Sequence, residues 1–210
     1  MATLYYVHDP MCSWCWGFSR TWRQTHDALP ADIQVVRLLG GLAEDNDSPM
    51  PAEMQGKLQQ TWHHIAERIP GVEFNFRFWS ECSPRRSTYP ACRAVIAARQ
   101  QGKEYDIAMT QAIQHAYYLQ ARNPSDTNTL VSLAGELGLN TETFTQALLA
   151  PQTHAQLMQE ISRSRQMGAD SFPSLVLEHQ GRRWHIPIDY NDSQPMLDLI
   201  ELFMREHVTP

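Results

Sequence analysis

The chain has little with which to build a cross-linked or membrane-embedded protein. Four cysteines in 210 residues are too few for a disulfide framework. In a reducing compartment a close cysteine pair signals metal binding or redox catalysis more often than a structural staple. No apolar run approaches the roughly 20 residues needed to span a bilayer. Basic charge is also scarce: 17 Lys and Arg against 23 Asp and Glu leave a net charge of -6. The pairs Arg85–Arg86 and Arg182–Arg183 are too short to form a basic stripe, so neither nucleic acid nor membrane is an expected partner. The opening residues, Met1 to Asp9, carry no basic region and no long apolar segment. A secretory signal is therefore not expected, and the cytoplasm is the default location. Internal repeats and low-complexity segments are absent.

What is present suits a globular chain. Hydrophobic residues make up 42% and charged residues 19%, enough for a sizeable core in one domain with an insertion or in two small ones. Leu4-Tyr5-Tyr6-Val7 is a β-favouring run broken by Asp9-Pro10. From Cys12 the period becomes helical, through Phe18, Trp22, Thr25 and Leu29, and Pro30 closes it. Ile33 to Leu39 reads as a second strand ending at Gly40-Gly41. From Pro51 to Gly168 nearly everything has a helical period. One helix covers 51–68, and Phe74-Asn75-Phe76-Arg77-Phe78 alternates like a strand or extended segment. A helix capped by Ser87 or Thr88, with Pro90 in its first turn, runs to Gly102. Another covers 104–119, and short helices end at Gly138, Pro151 and Gly168. The last fifth returns to strands at Ser174–Leu177 and Arg183–Ile186, joined around Gln180-Gly181, then a helix capped by Ser193. The order βαβ, helical block, ββα predicts an α/β unit, residues 1–48 and 165–210, interrupted by an α-helical insertion over 49–164.

The chemistry-bearing motif is Cys12-Ser13-Trp14-Cys15, placed where the first strand runs into the first helix. Residues three apart on a helix share a face, close enough for a disulfide. Cys12 meets the helix N-terminus, where unpaired amides and the macrodipole favour the thiolate. Cys15, one turn in, is expected to be more buried and to act as the resolving thiol. Zinc is the competing reading, but it takes four ligands, and Cys82 and Cys92 form no second pair. A coincidental pair of core cysteines is the other. Cys92, among Ala91, Ala94, Val95 and Ile96, reads as a small core residue, and Cys82 as a thiol in a polar loop. Free thiols are favoured over a disulfide between them. His63-His64, His115 and His154 support no metal triad, and Asp9 reads as a cap for the turn rather than a tuner of the cysteines.

Asp9-Pro10-Met11-Cys12-Ser13-Trp14-Cys15-Trp16-Gly17-Phe18, with Phe172-Pro173-Ser174 before a late strand, resembles the DsbA-like branch of the thioredoxin superfamily. It is most similar to the cytoplasmic predicted protein-disulfide isomerase group related to FrnE-type oxidoreductases. Ser87-Thr88-Tyr89-Pro90-Ala91-Cys92-Arg93-Ala94 is similar to the entry into that group's insertion domain. The resemblance implies a thioredoxin-like fold with an α-helical insertion and a thiol–disulfide oxidoreductase, reductase or isomerase. It implies Cys12 as nucleophile, Cys15 as resolving cysteine and Pro173 as the cis-proline. Ser13 and Trp14 would set the redox poise, and Phe172 would offer its backbone to substrate. No cofactor is implied beyond the redox-active cysteine pair, with glutathione as a candidate co-substrate. Expected partners are protein or small-molecule thiols and disulfides, and exposed apolar residues in the helical block could support a homodimer. The same branch contains glutathione-dependent transferases and 2-hydroxychromene-2-carboxylate isomerases, which carry serine where Cys12 stands. They are the alternative enzymatic reading; a redox-regulated binding module is the non-enzymatic one.

Overall fold

A computed structural model describes residues 2–205. Strand β1 (Ala2–His8) leads into helix α1 (Ser13–Asp27), which returns to strand β2 (Ile33–Leu39). Seven helices follow: α2 (Ala52–Arg68), α3 (Phe78–Glu81), α4 (Tyr89–Arg99), α5 (Tyr105–Tyr118), α6 (Thr127–Glu136), α7 (Thr141–Leu149) and α8 (Pro151–Gln166). The chain then forms hairpin β3 (Ser174–His179) and β4 (Arg182–Ile186), and ends in α9 (Gln194–Arg205). The four strands make one sheet in the order β2-β1-β3-β4. β1 runs parallel to β2 and antiparallel to β3, and β3 is antiparallel to β4.

The apolar run in β1 follows from its central position, because a strand covered on both faces has no solvent side to mark with polar residues. Leu4 and Tyr6 face one side, where Phe18 and Trp22 of α1 and Met196 and Ile200 of α9 cover the sheet. Tyr5 and Val7 face the other, against Leu38, Met167, Ala169 and Val176. Each large side chain buried this way contributes about 1.5–3 kcal/mol. The hairpin turns on Gln180 and Gly181, both with positive φ (50° and 75°), the backbone twist that a two-residue β-turn requires.

The helical block has its own core, centred on α4 and α5, and reaches back to the sheet through Met11 and Leu39. A buried polar network also ties the two parts. Arg37 of β2 donates to Asp106 at 2.5 Å. Arg99 of α4 pairs with Asp106 at 2.6 Å and Glu160 at 2.7 Å. The second oxygen of Glu160 accepts from the Leu39 amide at 2.9 Å, closing the circuit back to β2. Arg37 also meets Nε2 of buried His8 at 3.0 Å, so the ring proton belongs on Nδ1.

Three local expectations change. Of the two readings of Phe74–Phe78, a strand or an extended segment, the strand fails: Phe74 and Asn75 have no regular structure, a turn follows, and Phe78 opens α3. Phe74 and Phe76 pack on Trp62, and Asn75 is held to the end of α5 by bonds to the Tyr118 and Leu119 carbonyls. The helix expected to reach Gly102 ends at Arg99, followed by turns. Thr88 does occupy the cap position of α4, but its hydroxyl makes no bond to its own helix.

Burial, with Arg37 and Arg99 adding to it, pushes the His8 imidazole well below its ordinary 6.5. The unfolded chain therefore takes up a proton that folded His8 refuses. Stability is expected to fall as pH drops below about 6.5, by up to about 1.4 kcal/mol per pH unit from this group. Denaturant unfolding from about pH 7.5 to about pH 5 checks it: His8→Gln should lose that increment, and an unchanged pH profile in the variant would contradict it.

Candidate active site

The antiparallel register brings the end of β1 beside the start of β3, with Val7 opposite Ser174. That pairing sets residues 171–173 next to the loop that carries the cysteines. Cys12 is the N-cap residue of α1, with φ -80° and ψ 118°, and no side-chain cap bond is made. Its amide donates to the Asp9 carbonyl and its carbonyl accepts from Trp16, both at 3.0 Å. Its Sγ lies 3.4 Å from the Phe172 carbonyl, and the Phe172–Pro173 peptide bond is cis. Cys12 is 6% exposed and Cys15 0%, so both are buried and Cys12 is the more accessible. Both are free thiols.

Close approach shapes the far wall. The Gly40 amide donates to the His8 carbonyl at 2.8 Å, extending the β1–β2 pairing, and a Cβ on Gly40 would fall inside the Phe172 ring. At Gly41, with φ +65°, a side chain would meet Ile161 and Tyr89. The Gly40-Gly41 turn thus makes room for the segment that carries the Phe172 carbonyl.

Ser13 and Trp14 turn towards the helical block. The Ser13 hydroxyl accepts from Trp62 Nε1 at 3.0 Å. Trp14 packs edge-on to His64 and against Tyr190, with ring centroids 5.8 and 5.1 Å apart. The Arg68 guanidinium lies over its face at 5.8 Å. Trp16 stacks on Tyr118 and donates to the Glu73 carbonyl at 3.1 Å. Cys12, Cys15, Phe172 and Pro173 therefore converge, while Ser13 and Trp14 fasten the start of α1 to α2.

A family model described as thioredoxin matches residues 5–193. The chain belongs to the thioredoxin family. A Nitrosomonas europaea crystal structure assigned as a protein disulfide isomerase superposes with a TM-score of 0.84 at 27% identity, covering 98% of both chains. The Pseudomonas aeruginosa cytosolic disulfide reductase DsbM, solved with GSH, gives 0.74 at 23% identity, covering 97% of this chain and 99% of that one. The ClpXP adapter protein SpxH of Halalkalibacterium halodurans is 23% identical over 177 residues, 82% of this chain. The chain spans 57% of that curated relative's length. The thioredoxin fold with its helical insertion superposes over nearly the whole length of both solved structures.

The electrostatics of this thioredoxin-family site centre on two buried groups. Burial, with Cys12 beside it, pushes the Cys15 thiol well above the usual range. Burial also raises the Asp9 carboxyl, against the hydrogen bonds that lower it. Among the described residues, no group of three or more His, Cys, Asp or Glu side chains is placed to hold a metal.

Asp9 does more than the turn cap read from sequence. Its Oδ1 accepts from the Met11 amide at 2.8 Å. Its Oδ2 accepts from the Leu42 amide at 2.7 Å, the Thr88 hydroxyl at 2.6 Å and the Cys92 thiol at 3.4 Å. Cys92 is fully buried, as its apolar neighbours suggested. Cys82 is half-buried and donates to the Ala121 carbonyl at 3.0 Å. Sequence reasoning missed Trp62, Tyr190 and Thr88 as supports of the site. The only local signal was an acidic residue directly after a strand with no charged partner nearby.

Gly40→Ala should displace the Phe172 ring. We expect a loss of about 1–3 kcal/mol in denaturant unfolding, with slower disulfide exchange at Cys12. A variant as stable and as fast as the parent protein would show that the Phe172 segment is not held by this contact.

Proposed function

We propose that the protein reduces disulfides in the cytoplasm through a Cys12–Cys15 dithiol cycle. The observation that carries this reading is the pairing of an N-cap cysteine, the more accessible of the two, with a fully buried second cysteine one helical turn on, beside a cis-proline segment. Cys12 stands at the N-terminus of α1, the positive end of the helix dipole, and the thiolate is the attacking form. Cys12 attacks one sulfur of a substrate disulfide, forming a mixed disulfide and releasing the first substrate thiol. Cys15 then gives up its proton and attacks Cys12, closing the Cys12–Cys15 disulfide and releasing the second thiol. Two electrons and two protons pass to the substrate.

A high Cys15 proton affinity suits this order. It keeps the resolving thiol protonated until the mixed disulfide forms, so the first attack is reserved for Cys12. The Phe172 backbone, in contact with Cys12, would align an extended substrate segment beside the reacting sulfurs, and Pro173 would keep that edge open by donating no amide of its own. Ser13 and Trp14 would act on redox poise by fixing the turn between the cysteines. Reduction rather than oxidation or isomerisation is favoured by the similarity to the cytosolic disulfide reductase DsbM. The GSH bound to that protein favours glutathione as the thiol that returns Cys12–Cys15 to the dithiol. That step needs two glutathiones and yields one glutathione disulfide.

Cys15→Ser should exchange once and stop, accumulating a mixed disulfide on Cys12 that mass spectrometry identifies. Cys12→Ser should do neither. If Cys15→Ser turned over glutathione-dependent substrates at the rate of the parent protein, the dithiol cycle would give way to the monothiol, transferase-like chemistry.

A further inference from the structure

Beyond the cysteines, a cleft of about 380 Å³ runs along the outer side of α1, closed by the Ile69–Val72 turn after α2 and by Tyr190-Asn191. Its near end adjoins the cysteine turn. Trp16 lines it directly after Cys15, and Tyr190, its other aromatic wall, packs against Trp14. Further along, Arg20 and Arg23 line it, both exposed. Among the described residues, neither forms an ion pair, and nor does Arg68 over Trp14. No carboxylate lines the cleft. Nearby Glu73 contributes its backbone carbonyl to Trp16, and the Asp189 carboxylate is taken up by the Asn191 and Asp192 amides. In a chain of net charge -6, two guanidiniums without ion-pair partners thus line one cleft, and a third, Arg68, lies over the neighbouring Trp14. Such a cluster raises the local concentration of anions.

Helical geometry orders these groups. Cys12, Trp16, Ser19, Arg20 and Arg23 follow the spacing i, i+4, i+7, i+8, i+11, which is one face of α1. At 1.5 Å per residue, Arg20 and Arg23 lie about 12 and about 16 Å beyond Cys12 along the helix axis. An extended chain advances about 3.3 Å per residue and covers those distances in about four and about five residues.

We propose that this cleft docks the acidic side chains of a polypeptide substrate whose cysteine is engaged by Cys12, with carboxylates about four and five residues from that cysteine. The proposal rests on the dithiol-exchange reading above and adds the substrate class: proteins with acid-flanked cysteines, held along α1. The aromatic walls take the intervening side chains, and the guanidiniums select charge.

The test uses the whole, pre-reduced protein in single-turnover exchange with two synthetic peptide disulfides. One carries glutamates four and five residues on either side of its cysteine, and the other carries glutamines at the same places. The glutamate peptide should half-saturate at about tenfold lower concentration, a preference that added salt shrinks. Arg20→Gln with Arg23→Gln should bring the ratio between the peptides close to one, and Arg20→Lys with Arg23→Lys should keep much of it. The ratio is its own control, because a misfolded variant slows both peptides alike. Equal half-saturation of both peptides by the parent protein, or a preference that survives the glutamine substitutions, overturns the proposal and leaves dithiol exchange standing. Exchange with neither peptide overturns both.

Discussion

A single buried carboxylate holds the reactive loop to everything around it. Asp9 is fully buried, where an unpaired carboxyl group costs several kcal/mol. Four donors from three segments offset that cost: Met11 in the cysteine loop, Leu42 after β2, and Thr88 and Cys92 at the start of α4. Burial still outweighs them in its effect on the carboxyl proton. The Asp9 carbonyl meanwhile accepts the Cys12 amide, so the residue that joins sheet, loop and helical block also sets where α1 begins. Removing it would strand buried donors in all three segments at once.

The site is therefore shared between two parts of the chain. The sheet supplies Cys12, Cys15 and the Phe172–Pro173 segment through the β1–β3 pairing. The helical block supplies Trp62 under Ser13, and His64 and Arg68 around Trp14. The Arg37–Asp106–Arg99–Glu160 circuit makes a second joint below the first. Two joints thus fix the helical block to the sheet.

Much of this was legible from local pattern. The first strand was readable because β1 is buried on both faces, and the last hairpin because Gln180-Gly181 takes a positive-φ turn. The cysteine pair needed only its own spacing at a strand-to-helix junction. Pro173 was reached by family resemblance, since nothing local marks an X-Pro bond as cis. The failures share a physical cause. Phe74, Phe76 and Phe78 alternate like a strand, but a strand needs a ladder partner, and Asn75 found the end of α5 instead. The Asp9 bonds to Leu42, Thr88 and Cys92 span 33, 79 and 83 residues, beyond the reach of any periodicity. The Ser13–Trp62 bond, across 49 residues, is of the same kind.

The central claim is that Cys12 and Cys15 form one redox couple. A glutathione redox titration, quenched by thiol alkylation and read by mass spectrometry, tests it most directly. The account predicts that Cys12 and Cys15 gain and lose alkylation together at one midpoint potential, while Cys82 and Cys92 stay reduced. If oxidised glutathione produced no Cys12–Cys15 disulfide, or left Cys12 only glutathionylated, the dithiol account would be contradicted.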